Sequence, residues 1–139
     1  MILLDTHALI WWVDGTGERL SARAHERVEQ ELERVRLGEA DAGLLVSAIS
    51  CWEVAMLVSH GRLALSLEVE RWLALVAAIP AVRLVPLEPN VAVAATRLPE
   101  PFHADPADRF LVAQARHLAV PLLSADNKIQ AYAHVQCLW

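Results

Sequence analysis

Short apolar runs alternate with longer segments of helical periodicity along the whole chain. The first run, Ile2-Leu3-Leu4, is continuous, which is typical of a strand buried on both faces of a parallel sheet. Similar runs predict further strands at 44–46, 82–87, 121–124 and 135–139, the last at an edge of the sheet. Because predicted strands alternate with predicted helices, the pattern indicates an α/β fold, with a mainly parallel central sheet of about four to five strands flanked by helices.

Helix signals occupy the segments between these runs. A short helix is predicted over Ala8–Val13, then a turn at 14–17, and Ser21 is predicted to cap the charged helix that follows. The helix after the second strand has two candidate caps, Ser47 and Ser50. The remaining predicted helices cover 67–79, 89–98, 107–118 and 128–132.

Length and composition indicate one folded domain. At 139 residues, with 55% hydrophobic residues and a mean hydropathy of +0.33, the chain is long and apolar enough to bury a core. The longest charge-free apolar run near its middle, 72–82, contains Pro80 and is shorter than the roughly 20 residues of a membrane helix. The first residues carry neither a basic region nor a cleavage site typical of a secretory signal. We therefore expect no membrane association and a cytoplasmic location.

Net charge and cysteine usage narrow the candidate functions. A formal net charge of -5 argues against a passive nucleic-acid binder, which needs a basic surface. This objection weakens if several acids bind a divalent cation, which reverses the local charge. Cys51 and Cys137 form no CxxC pattern and lie in apolar sequence, so buried thiols are predicted rather than a disulfide or a zinc site.

Four acidic residues fall near the predicted carboxyl ends of strands. Asp5 and Asp126 directly follow the first and fourth strands, Glu53 lies early in the helix after the second, and Asp108 lies in the first turn of the helix that Pro106 opens. In an open parallel sheet the functional crevice lies beyond these strand ends. We therefore expect the four acids to share one site.

Helix capping is the local alternative for each acid. Asp5 and Asp126 can cap the helices that follow them, and Asp105 can cap the helix of Asp108. Glu53 fits a capping box with Ser50. Capping explains each position singly, but four acids at four strand ends exceed what capping alone requires.

A shared acidic site needs a counter-charge. Two unit charges about 4 Å apart repel by roughly 4 kcal/mol at an effective dielectric constant of 20. A set of oxygen ligands favours Mg²⁺ or Mn²⁺ over zinc, which prefers nitrogen and sulfur. His7 and His103 are near enough in sequence to compete as ligands, but contact with substrate or packing is the favoured interpretation of both.

Four motifs follow one another along the chain: Leu4-Asp5-Thr6-His7, Ser47-Ala48-Ile49-Ser50-Cys51-Trp52-Glu53, His103-Ala104-Asp105-Pro106-Ala107-Asp108-Arg109 with Ala113-Gln114-Ala115, and Leu123-Ser124-Ala125-Asp126. In this order they resemble the motifs of the PIN-domain ribonucleases, specifically the VapC-type toxins of bacterial toxin–antitoxin pairs. The resemblance runs nearly end to end and implies a single PIN domain over 1–139. Two departures are Ala107, where many relatives carry an aromatic residue, and Ser124, where threonine is common.

The resemblance implies a metal-dependent cleavage of RNA. It implies that Asp5 and Asp108 bind Mg²⁺ or Mn²⁺ directly. Glu53 and Asp126 complete the catalytic quartet and are further candidate ligands. It also implies a homodimer and a cognate antitoxin whose inserted segment blocks the site. Arg109, Arg116 or Lys128 are expected to meet the phosphates. The supporting residues that it implies are Thr6, Asp105, Ser124 and Arg109.

Two other functions remain open at this point. A haloacid-dehalogenase-like phosphatase also carries an aspartate after its first strand, but its Asp-x-Asp pattern fails because His7 stands at the second position. A non-catalytic PIN-like interaction module would be favoured if one of the four acids were missing. Here the quartet is complete.

Overall fold

The structure, a computed structural model, describes residues 1–15 and 19–139, which contain five strands and seven helices. The strands are β1 (Ile2–Leu4), β2 (Leu44–Ser47), β3 (Val82–Val85), β4 (Leu122–Leu123) and β5 (Cys137–Leu138). The helices are α1 (Thr6–Val13), α2 (Ala22–Arg36), α3 (Ala48–Ser59), α4 (Val69–Ala77), α5 (Pro89–Thr96), α6 (Pro106–Leu118) and α7 (Asn127–Gln130). The predicted α/β class is confirmed, and the predicted turn at 14–17 lies partly outside the described residues.

The five strands form one parallel sheet in the order β3-β2-β1-β4-β5. From the central β1 the chain builds outward through β2 and β3, then returns to add β4 and β5 on the other side. The order reverses between β1 and β4, and a crevice forms beyond the carboxyl ends of strands at such a point. The predicted parallel sheet and the edge position of the last strand are confirmed.

β1 is buried on both faces, which explains its continuous apolar run. Ile2 and Leu4 pack with apolar side chains of α1 to α4, whereas Leu3 packs with those of α5, α6 and α7. Successive side chains of a strand point to opposite faces, so one strand supplies both layers of the core. Only a sheet covered by helices on both faces requires this pattern.

Polar caps set where several helices begin. Ser21 accepts a hydrogen bond from the first turn of α2, as predicted. Ser47 caps α3 by accepting the Ile49 N–H at 3.2 Å. The predicted capping box of Ser50 and Glu53 is wrong, because the chain leaves its extended conformation at Ser47 and Ser50 already lies inside the helix.

A buried carboxylate joins α2 to the sheet. The fully buried Glu31 accepts the Gly43 N–H at 3.0 Å and pairs with Arg27 at 2.7 Å and Arg34 at 3.1 Å. Burial alone raises the pKa of this carboxyl, but the Gly43 N–H, the amino terminus and Arg27 outweigh burial and lower the pKa. The sequence pattern does not reveal this cluster, because Glu31 looks like one of many charges on an exposed helix.

The remaining differences from prediction concern the ends of β3 and α4 and the exposure of the two cysteine thiols. β3 ends at Val85, and α4 is confined to Val69–Ala77. Cys51 and Cys137 are free thiols, as predicted, but each is half-buried rather than buried. Within the described ranges, no helix combines the length and apolar character needed to cross a membrane.

Candidate active site

Asp5 lies at the crevice where the strand order reverses. It directly follows β1 and is 8% exposed. Its Oδ1 accepts the Ala8 N–H at 2.7 Å, so the predicted cap of the first helix is confirmed. Burial raises the pKa of Asp5 to about 6, an effect opposed by hydrogen bonds from Ser124 and Ala8 and reinforced by the charge of Asp108. Capping alone does not neutralise this buried charge.

Asp108 faces the same crevice from the first turn of α6. Its Oδ2 lies 2.6 Å from His103 Nε2, and its backbone N–H donates to Asp105 Oδ1 at 3.1 Å, which confirms Asp105 as the cap. Burial raises the pKa of Asp108, the hydrogen bond from His103 lowers it, and the charges of Asp105 and Asp126 raise it. Asp5 and Asp126 therefore both lie within electrostatic reach of Asp108.

Asp126 follows β4 on the other side of the crevice. Its Oδ1 accepts the N–H groups of Lys128 at 2.7 Å and Ile129 at 3.2 Å, so its predicted cap role is confirmed. The buried Ser124 accepts the Asp126 N–H at 3.1 Å and also hydrogen-bonds Asp5. One serine hydroxyl thus links the two acids that follow β1 and β4.

Glu53 lies one helical turn beyond Ser50 in α3, and no described contact joins it to the three aspartates of the crevice. Thr6 Oγ1 donates to Ser50 Oγ at 3.1 Å, which joins the start of α1 to α3, and Glu53 lies three residues beyond Ser50 on the same face of the helix. Glu53 is half-buried and makes no hydrogen bond or ion pair with any other described residue. Its membership of the quartet therefore stays a prediction, and so does the supporting role of Thr6, whose observed contact joins α1 to α3.

Arg109 holds the loop that precedes α6. Its guanidinium donates to the carbonyls of Ala95 at 2.8 Å, Phe102 at 3.2 Å and His103 at 3.2 Å, and pairs with Glu100 at 3.3 Å. These acceptors engage all three guanidinium nitrogens. The expected contact between Arg109 and phosphate stays a prediction, and the observed role of the side chain is to position the loop that carries His103.

His103 is the residue whose role sequence reasoning left open. When Asp108 is ionised, His103 Nε2 must donate, while its Nδ1 is buried without a partner among the described residues. A loop residue has no periodicity that reports its direction, so its proximity to Asp108 was not predictable. The only available signal was its place five residues before Asp108.

Cys137 borders the site as a neutral thiol. Its Sγ lies 3.6 Å from the Ser124 carbonyl oxygen. Burial, together with the charges of Asp5 and Asp126, raises the pKa of Cys137 to about 11. A thiol with this pKa stays protonated near neutral pH when no metal ion is bound.

The donor set fits a hard divalent ion. Asp5 and Asp108 both have raised pKa values, and their charges repel each other. A cation bound between them would therefore lower the free energy of keeping both carboxylates ionised. Over residues 1–15 and 19–139, no group of three or more His, Cys, Asp or Glu side chains is placed so that it could hold a metal ion. Mg²⁺ usually keeps several waters and is held by one or two carboxylates, so a pair of aspartates suits it.

Comparisons with known proteins identify the family. A family model for the PIN domain matches residues 2–135. Ribonuclease VapC22 of Mycobacterium tuberculosis is 35% identical over 133 residues, which cover 96% of this chain and 92% of that protein.

Two solved structures share the fold. VapBC2 from Rickettsia felis, bound to a DNA fragment from its promoter, matches with a TM-score of 0.69 at 11% identity, covering 99% of this chain and 97% of that one. A toxin-antitoxin complex from Klebsiella pneumoniae matches with a TM-score of 0.58 at 15% identity, covering 97% and 95%. Together with the sequence matches, they confirm the resemblance read from the motifs: the chain belongs to the PIN-domain family, as a relative of the VapC-type proteins.

Proposed function

We propose that this protein is a metal-dependent endoribonuclease and the toxin of a toxin–antitoxin pair. The observation that carries the proposal is the buried Asp5, which faces the charge of Asp108 across the crevice between β1 and β4. The 35% identity to a protein named as a ribonuclease supports RNA as the substrate. RNA as substrate also agrees with the cytoplasmic location expected from the sequence.

In this proposal the side chains of the crevice have separate roles. Asp5 and Asp108 would hold the ion, with Asp126 and Glu53 as further candidate ligands. Bound Mg²⁺ or Mn²⁺ would supply activation of water and positive charge beside the scissile phosphate. The Ala8 N–H fixes the orientation of Asp5, and His103 fixes that of Asp108 through Oδ2, while no other described residue hydrogen-bonds to Oδ1 of Asp108.

Ser124 and Asp105 would help to hold the proposed metal ligands in position. Ser124 hydrogen-bonds both Asp5 and the backbone of Asp126, and Asp105 holds the first turn of α6 by accepting the Asp108 N–H. Such contacts lock ligand geometry before the ion arrives, which is the usual role of residues around metal ligands. Replacing Ser124 by alanine should therefore lower metal affinity without removing a ligand.

RNA cleavage by purified protein tests the proposal. Protein freed of its antitoxin is incubated with structured RNA and Mg²⁺, and the cut ends are sequenced. We expect cleavage by wild type, none by Asp5→Ala purified in the same way, and none by wild type in EDTA. Asp14→Ala, which removes an exposed acid outside the crevice, should cleave like wild type. Equal cutting by Asp5→Ala would indicate contamination and would contradict the proposal.

The same assay separates the other candidate functions. A haloacid-dehalogenase-like phosphatase would release phosphate from a small phosphate monoester and leave RNA intact. A non-catalytic interaction module would bind RNA or protein without cutting either. The family match and His7 at the position of the second phosphatase aspartate favour neither alternative.

An antitoxin and a second copy of the chain are the proposed partners. The Klebsiella pneumoniae structure is described as a toxin-antitoxin complex, which supports an antitoxin partner here. The homodimer rests on the family resemblance. Light scattering on the isolated protein tests it: twice the chain's 15.4 kDa mass supports a dimer, and the single-chain mass contradicts it.

A further inference from the structure

A cavity of about 540 Å³ opens next to the acidic crevice. It lies between the loop before α6, which contributes Phe102 and His103, and α7 with the segment that follows it, which contribute Lys128, Tyr132 and His134. Sites for small organic ligands commonly have volumes of about 300–1,000 Å³. The cavity therefore has room for one nucleotide-sized group.

Aromatic rings form a continuous array along the cavity. The ring centroids of Phe102 and His103 are 4.3 Å apart, those of Phe102 and Tyr132 are 4.5 Å apart, and those of Tyr132 and His134 are 5.3 Å apart. Tyr132 is buried and anchored by its hydroxyl, which donates to the Pro99 carbonyl at 2.7 Å. The array is thus preorganised, with the half-buried Phe102 and the exposed His134 presenting ring surface to solvent.

The cavity touches the acidic crevice at two points. His103 bonds Asp108, and the backbone N–H of Lys128 bonds Asp126. Lys128 is the only lysine in the sequence, and its side chain is exposed at the cavity. A ligand in the cavity therefore lies beside the candidate metal ligands and within reach of a cation.

We propose that this cavity binds an unpaired nucleobase of the RNA strand, with Lys128 meeting an adjacent phosphate. Aromatic faces stack on any base, and sequence-selective or strand-selective recognition of RNA relies on unpaired bases held this way. The inference rests on the proposed ribonuclease function and adds to it a binding site for one unstacked base next to the scissile bond.

The charge balance of the cavity agrees with a nucleotide ligand. Its one carboxylate, on Glu100, is paired with Arg109 and accepts the Phe102 N–H at 2.8 Å. Lys128 is left without a carboxylate partner among the described residues, so its ammonium is available for phosphate. An acidic peptide would also pair with Lys128, but its binding would not depend on stacking against the ring of His134.

Binding of short RNA strands tests the proposal. A fluorescent single-stranded oligoribonucleotide is titrated in EDTA, which blocks cleavage, and its anisotropy is followed. A strand of the same length made of abasic ribose phosphates serves as the second ligand. The proteins are wild type, His134→Ala, Lys128→Ala and the control His25→Ala, which removes an exposed histidine from α2.

We expect His134→Ala to bind the natural strand about fivefold more weakly than wild type, in keeping with the loss of one stacking surface. The abasic strand should bind wild type and His134→Ala equally, whereas Lys128→Ala should weaken the binding of both strands. His25→Ala should match wild type. Equal binding of natural and abasic strands by wild type would overturn the proposal, and so would an equal weakening of both strands by His134→Ala.

The outcome is distinguishable from a failure of the proposed function. RNA cleavage with Mg²⁺ is measured on the same proteins. Cleavage by wild type together with no effect of His134→Ala on strand binding would retain the ribonuclease and remove the base site. Base-dependent binding without cleavage would retain the base site and remove the ribonuclease.

Discussion

His103 Nε2 lies 2.6 Å from Asp108 Oδ2, so a loop residue holds one oxygen of a carboxylate that is proposed as a metal ligand. Arg109 secures this loop by donating to the carbonyls of Phe102 and His103, and ties it to α5 by donating to the carbonyl of Ala95. Because neighbours that orient a ligand typically change metal affinity by 10–100-fold when removed, His103 is a positioning residue in this proposal.

His103→Leu should therefore weaken Mn²⁺ binding by about tenfold, measured by calorimetry. His103→Gln keeps an N–H donor and should lose less. His117→Leu, a change of an exposed histidine in α6, serves as the control. Tighter binding by His103→Leu would show instead that the imidazole competes with the ion for Asp108.

Asp108→Asn should lose most of the stabilisation that metal gives the wild type. Millimolar Mg²⁺ or Mn²⁺ is expected to raise the melting temperature of the wild type, because an ion that binds only the folded state stabilises it. The exposed Glu29→Gln should respond to metal like the wild type. The absence of a metal-dependent shift in the wild type, or an equal shift in Asp108→Asn, would count against the site.

Asp5→Asn should stabilise the metal-free protein near neutral pH. Burial raises the pKa of Asp5 from 3.8 to about 6, so its stabilising contribution is complete below pH 3.8 and is lost as pH rises through 6. The neutral asparagine still caps α1 and avoids the buried charge. At 1.36 kcal/mol per pH unit, the gain in unfolding free energy at pH 7.5 is at most about 3 kcal/mol.

Urea denaturation in EDTA at pH 7.5 and pH 3.5 measures this difference. At the lower pH both proteins carry a neutral side chain, and the gain should vanish. The exposed Asp14→Asn should change stability by less than about 0.5 kcal/mol at either pH. A destabilised Asp5→Asn at pH 7.5 would mean that the buried charge is compensated in a way that the contacts of Asp5 do not reveal.

Glu31→Ala should destabilise the fold by about 3 kcal/mol, because it leaves the Gly43 N–H and two arginines without their buried partner. Glu31→Gln retains an acceptor for Gly43 and should cost less. Since folding lowers the pKa of Glu31, its stabilising contribution is present above its ordinary value of 4.5 and is lost on acidification. Equal urea midpoints for Glu31→Ala and wild type at neutral pH would contradict this role.

The local features of the fold were predictable because they depend on neighbours in sequence. The continuous run at Ile2–Leu4 predicts a strand buried on both faces, and Asp5, Asp105 and Asp126 each cap the helix that follows. The acids that follow the strands also predict which side chains share one edge of the sheet, where Asp5 and Asp126 both lie within electrostatic reach of Asp108. Strand ends and caps obey short-range rules of backbone hydrogen bonding, which sequence patterns report.

Contacts between distant segments were decided only by the tertiary structure. The reversal of strand order places Asp5 beside Ser124, which lies 119 residues later in the chain. Thr6 contacts Ser50, which lies inside α3 and does not cap it. The direction of His103 toward Asp108 and the burial of Glu31 depend on how loops and helices pack on the sheet. A single sequence reports periodicity and caps, but the energies that select among packings arise from surfaces brought together only in the folded chain.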